Sequence, residues 1–458
     1  MDAKPDSNGA TPVSSGGPRR VSIATRALHL LPFQIVLRAG DAYFPILLAH
    51  LFRLTDSTDV YYRALSVFQL AGSVLFGMFQ DSALIPILAG LRKDDPKIIP
   101  RLFGTLLTHT LVIGFVVAMM IAGIVALLFQ VFWSVDQGSM SLLTRMIPAF
   151  TLYLVFTSTR TLFTALLHSE HDFFSPPIGS ALGMCVNLLV IVGLHERFGL
   201  AVVPYGQLLA EIVASLFLFA RLKSRGAVFQ WNMERLEPLR RFVRLMSAGV
   251  AGGAVTRVNP VIDQWMARQA GVFGGGSTIK NASDVSSVPA ALVQASLLSV
   301  LLIHLSEDFA KKDFRAFRKK VYRACLSVVA ILTAAAIVLY AIRHWLLQLV
   351  FLHGKMSFED VQKITDVFPY FLLGVAPFGA LLVLARAHVA LENNRILFAM
   401  GVLNATSNAI FNVFLVRTMG LRGLALSTSL VQTVIAIVFF ILFEKKIRQL
   451  VLLEPLPS

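Results

Sequence analysis

Charged side chains lie inside several long apolar segments of this sequence. They are Arg38, Asp41, Asp81, Arg160, Glu211, Arg257, Asp263, Asp284 and Arg386. A charge at the centre of a membrane costs about 2.5–3.5 kcal/mol on insertion scales, so such residues tend to face an internal cavity and to mark a functional path. The sequence therefore predicts a polar cavity, and these side chains are the first candidates to line it.

The spacing of some of these charges indicates that they neutralise each other. Arg38 and Asp41 are three residues apart, which places them on one face of a helix. A structural ion pair and a role in the cavity are equally supported for them. Asp81 and Arg160, in the second and fourth apolar segments, are candidates for a similar buried pair.

Arg257 and Asp263 are not expected to pair directly. Six residues separate them, which is about 120° around an ideal helix, so each needs a partner elsewhere. Asn259-Pro260 lies between them, and a proline inside a helix frees a backbone carbonyl, which is tolerated where that carbonyl faces a wet cavity. Many membrane prolines serve only packing, but this segment is our best candidate for a moving helix that lines the cavity.

The sequence gives little support for metal binding or for enzymatic catalysis. The ten histidines show no spacing of two histidines and a carboxylate on one helix, and Cys185 and Cys325 both lie in apolar segments. Neither a metal site nor a catalytic residue is predicted, and the sequence has no hydrolase or kinase motif. We expect no cofactor, although a coupling ion or the membrane potential is compatible with the pattern.

Two polar runs have simple structural interpretations. Gly274-Gly275-Gly276-Ser277 has no following Gly-Lys-Ser/Thr and no preceding strand, so it is predicted to be a flexible extracytoplasmic hinge rather than a phosphate-binding loop. Asn404, Asn408 and Asn412 form a stripe with a spacing of four residues. We favour interhelical hydrogen bonding for this stripe over substrate contact.

The elements that must position these residues are membrane helices. The chain has 458 residues, of which 56% are hydrophobic and 15% charged, whereas an ordinary soluble domain has about 25% charged residues. Residues 106–133 and 326–342 are long enough to cross a hydrocarbon layer of about 30 Å as helices. This composition argues against a soluble enzyme and predicts an all-α polytopic membrane protein with about twelve transmembrane helices.

Basic residues collect at alternate ends of the predicted spans. The spans are 27–52, 61–91, 102–133, 144–168, 174–195, 199–221, 240–270, 281–306, 321–345, 361–390, 394–416 and 420–444. The formal net charge of +15 therefore follows the positive-inside rule, and we expect no nucleic-acid partner. The same rule places both termini in the cytoplasm.

An internal repeat divides the chain into two halves. A shift of 221 residues lays Asn187 on Asn408, Gly199-Leu200 on Gly420-Leu421, and 171–173 on 392–394. Six spans per half make a parallel repeat with a cavity between two bundles, a design that transporters use. The predicted organisation is a disordered cytoplasmic tail at 1–26, a six-helix bundle at 27–221, a basic cytoplasmic linker at 222–239, a second six-helix bundle at 240–446 and a cytoplasmic tail at 447–458.

Short motifs occur in a defined order along nearly the whole chain. They are Thr58-Asp59-Val60-Tyr61-Tyr62, Ala83-Leu84-Ile85-Pro86, Asn281-Ala282-Ser283-Asp284, Pro289, Glu307 to Lys320, Phe351-Leu352-His353-Gly354-Lys355, Leu384-Ala385-Arg386-Ala387 and Gly420-Leu421-Arg422-Gly423-Leu424-Ala425. Each motif is weak alone. In this order they resemble the MurJ/MviN family of bacterial lipid flippases, which belongs to the superfamily that includes the MATE exporters.

The resemblance implies a two-bundle, alternating-access flippase of the bacterial inner membrane. Its substrate would be a polyprenyl-pyrophosphate-linked saccharide, and its partners would be that lipid-linked glycan, membrane lipid and, as further candidates, glycan-synthesis enzymes. Arg38 resembles a cavity arginine of the first span, and Asp59 resembles the acidic residue of the Thr-Asp-aromatic motif. Cations inside an apolar cavity suit a pyrophosphate, while the polyprenyl tail stays in lipid.

The chain departs from the family pattern where the head group would bind. Gly72-Ser73 stands where the family has an Arg-Arg pair, and Ser283-Asp284 stands where it has Asp-Arg. We therefore expect a cationic site rebuilt from Arg257, Lys280 and Arg386. The chain also ends after its twelfth span, where lipid II flippases usually add two helices. These changes favour an exopolysaccharide or O-antigen-like lipid as an alternative to lipid II.

Two other functional classes stay open. A MATE-like antiporter of organic cations would have an acidic, aromatic cavity in place of Arg38 and Arg257, so the sign of the cavity charge separates it from a flippase. A non-transporting membrane scaffold for glycan synthesis would account for the loss of the family charges.

Overall fold

A computed structural model describes residues 23–75, 98–131, 136–170, 172–225, 258–391 and 394–452. Within these ranges the chain forms twelve α-helices, one short 3-10 segment and no strand. The helices are α1 (Ile23–Phe52), α2 (Asp56–Leu75), α3 (Ile98–Val131), α4 (Gln137–Ser169), α5 (Ser175–Phe198), α6 (Val202–Lys223), α7 (Asn259–Gln269), α8 (Gly275–Ala310), α9 (Phe314–Phe351), α10 (Phe358–Ala390), α11 (Asn394–Met419) and α12 (Leu421–Leu452).

The helices follow the predicted spans in order. Seven helical stretches in the described ranges are long and apolar enough to cross a membrane, and one of them, Ser175–Lys223, contains both α5 and α6. The predicted all-α polytopic class is confirmed. Helix also extends into both predicted tails, because α1 begins at Ile23 and α12 continues to Leu452.

Side-chain caps explain why some helices begin earlier than the predicted spans. The Asp136 carboxylate accepts hydrogen bonds from the N–H groups of Gly138 (3.0 Å) and Ser139 (3.2 Å) at the start of α4. Ser357 and Asp360 form a reciprocal capping box at the start of α10. Such caps satisfy the donors that a helix leaves free at its N-terminus. These caps place the first residues of both helices in polar sequence. Hydrophobicity alone therefore does not predict where the helices begin.

The turn between α4 and α5 is held by a buried carboxylate. Asp172 accepts hydrogen bonds from the N–H groups of Phe174 (3.1 Å) and Ser175 (3.0 Å), and Arg225 lies 2.5 Å from it. Burial would raise the pKa of the Asp172 carboxyl, but the hydrogen bonds from Ser175 and Phe174 and the Arg225 cation outweigh burial and hold that pKa below its ordinary value.

The buried apolar side chains form separate cores for the two halves. One core includes Phe68, Phe129 and Phe150 from α2, α3 and α4. Another is built almost entirely from α7 to α12 and includes Phe317 and Phe368. This segregation supports a division into two bundles. Most of the predicted basic linker, from residue 226 onwards, lies outside the described residues.

The two halves share a break between their last two helices. Gly199 follows α5 and Gly420 follows α11, each with a φ of +59°. A shift of 221 residues superimposes these two glycines. Asn187 and Asn408, which the same shift superimposes, are both buried. Two of the three local matches on which the repeat was predicted are thus present in the structure, and the third, 171–173 on 392–394, falls largely outside the described residues.

The Gly-rich run before α8 is not a flexible hinge, so that prediction was wrong. Gly275, Gly276 and Ser277 form the buried first turn of α8, and Gly274 precedes them with a φ of +69°. A Cβ atom on Gly274 would lie 2.5 Å from the carbonyl oxygen of Leu54. Glycine is required because the backbones of the two halves touch here.

The Asn259-Pro260 break lies at the edge of the described residues. The described helix α7 begins at Asn259, and Pro260 lies in its first turn. The residues before Val258 lie outside the described ranges, so the predicted kink stays a prediction.

Candidate functional site

A cavity of about 510 Å³ lies between α8 and helices α1, α2, α4, α5 and α6. Three of the predicted site residues line it: Asp41 on α1, and Lys280 and Asp284 on α8. Arg160 and Glu211 line it from α4 and α6. The cavity thus brings together residues from both halves of the chain, as the repeat predicted.

Lys280 and Asp284 form an ion pair along the cavity face of α8. The Lys280 Nζ atom lies 2.5 Å from the Asp284 carboxylate, and both side chains keep about a third of their surface exposed. A partly exposed pair with a spacing of four residues contributes only about 0.3–0.5 kcal/mol. Asp284 therefore holds Lys280 only weakly.

Arg160 is held far more firmly than Lys280. Its guanidinium donates two hydrogen bonds to Glu211, with Nε···Oε2 at 2.6 Å and Nη2···Oε1 at 3.2 Å. Glu211 is therefore the described partner of Arg160, and the predicted pairing with Asp81 stays a prediction because Asp81 lies outside the described residues. A bidentate pair of this kind fixes the guanidinium plane, so Arg160 braces the cavity wall.

Two uncharged polar atoms of the cavity lining have no hydrogen-bond partner within the described part of the chain. The hydroxyl group of Tyr62 and the amide oxygen of Asn187 are buried, and neither has a hydrogen-bond partner among the described residues. Unpaired buried polar atoms are costly unless water or a ligand satisfies them. Both side chains are suited to a substrate with hydroxyl or amide groups. Sequence reasoning placed Tyr62 in a family motif and Asn187 in the repeat, but assigned neither to the cavity.

Asp59 does not line this cavity. It is buried at the start of α2 and accepts hydrogen bonds from the N–H groups of Gly276 (2.9 Å) and Ser277 (2.7 Å) and from the Ser277 hydroxyl (2.8 Å). A carboxylate at a helix N-terminus is stabilised by both the free donors and the helix dipole. Asp59 therefore joins the first half of the chain to the first turn of α8.

A second contact between the halves lies beside the first. The Arg53 guanidinium donates to the Asp360 carboxylate at 2.8 Å and to the Ser357 hydroxyl at 3.1 Å. The N–H of Lys355 donates to the carbonyl of His50 at 2.8 Å. We call the hydrogen bonds that Asp59 accepts from Gly276 and Ser277, together with the Arg53–Asp360 pair, the latch. On α8 the cavity begins at Lys280, one helical turn from Ser277, so the latch lies at one end of it.

A further polar centre lies between α7 and α11. The Asn412 amide donates to the Asp263 carboxylate and to the Asn408 amide oxygen, both at 2.9 Å. Asn259 donates to Asn404, also at 2.9 Å. Interhelical hydrogen bonding by the asparagine stripe is thus confirmed. Asp263 forms no ion pair with the described lysines and arginines, and it lies outside the cavity.

The remaining predicted residues are not brought into the cavity by the described structure. The Arg38 side chain and the whole of Arg257 lie outside the described residues. Arg386 is described on α10, but it does not line the cavity. The described lining has two cations, Arg160 and Lys280, against three carboxylates. The expected excess of positive charge is therefore not met by this part of the wall.

Comparisons with known proteins agree on one family. A family model described as the lipid II flippase MurJ matches residues 48–454. The probable lipid II flippase MurJ of Bdellovibrio bacteriovorus is 22% identical over 390 residues, which cover 81% of this chain and 73% of the relative. That of Borreliella burgdorferi is 22% identical over 385 residues, which cover 81% and 74%.

Solved structures show the same architecture. A lipid II flippase MurJ in an inward closed conformation superimposes with a TM-score of 0.77 at 17% identity, covering 91% of this chain and 87% of that one. An inward-facing multidrug resistance MATE transporter of the MOP superfamily superimposes with a TM-score of 0.76 at 13% identity, covering 91% and 95%.

Proposed function

The chain belongs to the family of the lipid II flippase MurJ, within the MOP superfamily, and from this we propose that it carries a polyprenyl-pyrophosphate-linked saccharide from the inner to the outer leaflet. The family is one of transporters, so the work of this chain is translocation rather than catalysis. We place it in the bacterial inner membrane with both termini in the cytoplasm. Its proposed partners are the lipid-linked glycan, membrane lipid and glycan-synthesis enzymes.

One observation carries the mechanism: the latch between the halves lies one helical turn from a polar cavity that both halves line. With the termini in the cytoplasm, the latch lies at the extracytoplasmic end. The structure then corresponds to a state that is closed to the outside. Alternating access requires this contact to open while the cytoplasmic ends of the bundles close.

Lys280 is the residue that we assign to the pyrophosphate in this cavity. Its pair with Asp284 is weak and partly exposed, so a phosphate can displace the carboxylate. Arg160 stays with Glu211 and shapes the wall. Arg38 and Arg257 remain proposed additional cations on the basis of their positions in the first and seventh spans.

Asp263 is our candidate for energy coupling. Among the described residues its carboxylate contacts amide groups rather than a cation, and a half-buried carboxylate in such surroundings favours the uptake of a proton or a small cation. Binding such an ion would change the charge between α7 and α11. Coupling of this step to an ion gradient or to the membrane potential would drive the cycle in one direction.

The competing functions are less well supported. The fold is shared with MATE transporters, but the family model matches the flippase over most of the chain. The cavity charge does not separate the two, because the predicted arginines Arg38 and Arg257 fall outside the described side chains. A scaffold would have no need of a latch that closes a polar cavity.

Transport of two substrates by proteoliposomes tests the proposal and identifies the glycan. The full chain is reconstituted with fluorescent lipid II or with a polyprenyl-pyrophosphate O-antigen-like saccharide, and the lipid exposed on the opposite leaflet is measured. We expect movement of at least one substrate, with competition between them if both bind. Movement of neither, together with export of an organic cation, would support the MATE-like alternative.

A further inference from the structure

A second cavity, of about 450 Å³, lies between the first turns of α9 and the end of α12. We call it the basic groove, and its lining residues are Arg315, Arg318, Lys319, Tyr322, Arg323 and Val451. None of them lines the central cavity. The five residues on α9 have spacings of three, four, seven and eight from Arg315, so they lie on one face of the helix. The helix thus presents four cations to one concave surface.

The positive charge of the groove is only partly neutralised. Arg318 donates two hydrogen bonds to Glu444, at 3.1 and 2.9 Å, and Arg448 donates to the same carboxylate at 3.0 Å. Glu444 is therefore already shared by two arginines. Among the described residues neither Lys319 nor Arg323 forms an ion pair. Both keep their charge available to an anion, and both side chains are exposed.

The face that carries these cations continues into apolar residues. Lys319, Arg323, Leu326, Ala330, Thr333 and Ile337 are all exposed and follow one another at spacings of three or four. Leu326 has 74% of its surface exposed and Ile337 has 64%. Such residues on a membrane helix face lipid chains, so the charges lie where the head groups begin.

An aromatic side chain marks the same boundary. Tyr322 lies beneath the Arg318 guanidinium, 5.4 Å from its ring centre, and packs edge-on against Phe440 of α12 at 5.6 Å. Tyrosine is enriched at the interface between membrane and water because its ring prefers the apolar side and its hydroxyl the wet side. Tyr322 thus fixes the depth of the basic groove at the head-group level.

We propose that the basic groove binds the phosphate head group of an anionic phospholipid, with an acyl chain along the stripe from Leu326 to Ile337. The cations bind the phosphate, and Arg323 offers it a guanidinium fork. A free phosphate ion would meet the same charges but would bury no apolar surface. The cations and the apolar stripe together therefore fit an amphiphile. This assignment does not depend on which glycan the central cavity carries.

Binding of phosphatidylglycerol to the purified full chain in neutral detergent tests the proposal. The test variant is Lys319→Gln with Arg323→Gln, which leaves the Arg318–Glu444 pair intact. The matched control is Lys311→Gln with Lys312→Gln, which removes the same charge from neighbouring exposed residues that do not line the groove. Native mass spectrometry reports bound lipid, and thermal unfolding verifies that each variant is folded.

We expect the test variant to lose affinity for phosphatidylglycerol by about tenfold or more, and the control to keep it. Phosphatidylethanolamine and glycerol phosphate should bind the wild-type chain much more weakly. Equal affinity in the test variant and the wild type would overturn the proposal. Equal losses in both variants would also overturn it, because the attraction would then be a general surface charge. Equal binding of glycerol phosphate would show a free-phosphate site instead.

Discussion

Asp59 and Ser277 are 218 residues apart in the chain, yet the Ser277 N–H donates to the Asp59 carboxylate at 2.7 Å and the Ser277 hydroxyl donates to it at 2.8 Å. Asp59 lies in the first turn of the second helix of the first half, and Ser277 lies in the first turn of the second helix of the other half. Because this contact joins the two halves, the closed state depends on residues of both bundles. This contact also makes the latch accessible to mutation without touching the cavity.

Asp59→Asn should weaken the latch. Hydrogen bonds to a charged group contribute about 1.5–3 kcal/mol, and neutral ones about half of that, so the open state should become at least about tenfold more populated. The measurement is labelling of a cysteine at Ser287, which lines the cavity, by an impermeant reagent from outside. Native Cys185 and Cys325 are first replaced.

Two controls locate the effect in the latch. Asp56→Asn removes a neighbouring acid of the same helix turn that forms no latch contact, and it should leave labelling unchanged. Arg53→Gln breaks a pair whose arginine is 45% exposed, so its effect should be smaller than that of Asp59→Asn. A larger effect from Arg53→Gln would contradict the ranking of the two contacts.

Substitution of Arg160 should mainly lower stability, whereas substitution of Lys280 should mainly slow transport. Arg160→Gln leaves Glu211 without its partner, so the melting temperature should fall, and the double variant Arg160→Gln with Glu211→Gln should recover part of the loss. Lys280→Gln should leave the melting temperature nearly unchanged and slow transport, and Lys280→Arg should keep activity. A Lys280→Gln protein with wild-type transport would remove Lys280 from the binding site.

Asp263→Asn should uncouple transport from its ion. The amide keeps the shape of the carboxylate between α7 and α11 but removes its charge, so the fold should persist. Transport rates are compared across sodium and proton gradients in proteoliposomes. The wild-type chain should respond to one gradient and the variant to neither. Asn404→Ala removes a neighbouring hydrogen bond without a change of charge, and it should keep the response.

The orientation is tested with cysteines at Ser57 and Ser224, which are both exposed at helix ends. The cysteine at Ser57 should react with an impermeant thiol reagent in intact cells, and the one at Ser224 only after the membrane is opened. Ser139 and Ser277 are unsuitable because both are buried. Reaction of Ser224 in intact cells would reverse the assignment of the latch to the outside.

Hydrophobicity and repetition predicted the helices, their order and the paired breaks at Gly199 and Gly420, because these features depend on local sequence. The asparagine stripe was predicted from helical spacing alone. The latch was not, since it joins residues more than two hundred positions apart through backbone donors that a sequence does not display. The prediction of a hinge at Gly274 was wrong for a similar reason. From sequence alone, a glycine required for close backbone packing cannot be distinguished from a glycine of a flexible loop.

The partner of Arg160 shows a second limit of prediction from sequence. Its position inside a span indicated a charge inside the bundle, but the sequence did not identify the Glu211 carboxylate as its partner. The packing of α4 against α6 brings Arg160 and Glu211 together. Helix spacing predicts partners within one helix and cannot rank partners on different helices.

A reversible cross-link across the latch tests the central claim most directly. The Thr58 and Ser277 hydroxyl oxygens lie 3.3 Å apart on opposite halves, so cysteines at both positions should form a disulfide. The control places cysteines at Thr55 and Thr58, whose hydroxyl oxygens lie 3.4 Å apart within one half. Gly274 is unsuitable as a cross-linking position, because a side chain there would collide with Leu54.

Lipid-linked glycan transport is then measured in proteoliposomes before oxidation, after oxidation and after reduction. If the halves must separate at the latch, oxidation of the Thr58–Ser277 pair stops transport, reduction restores it, and the Thr55–Thr58 pair is unaffected throughout. Undiminished transport by the fully cross-linked Thr58–Ser277 protein would contradict alternating access through the latch.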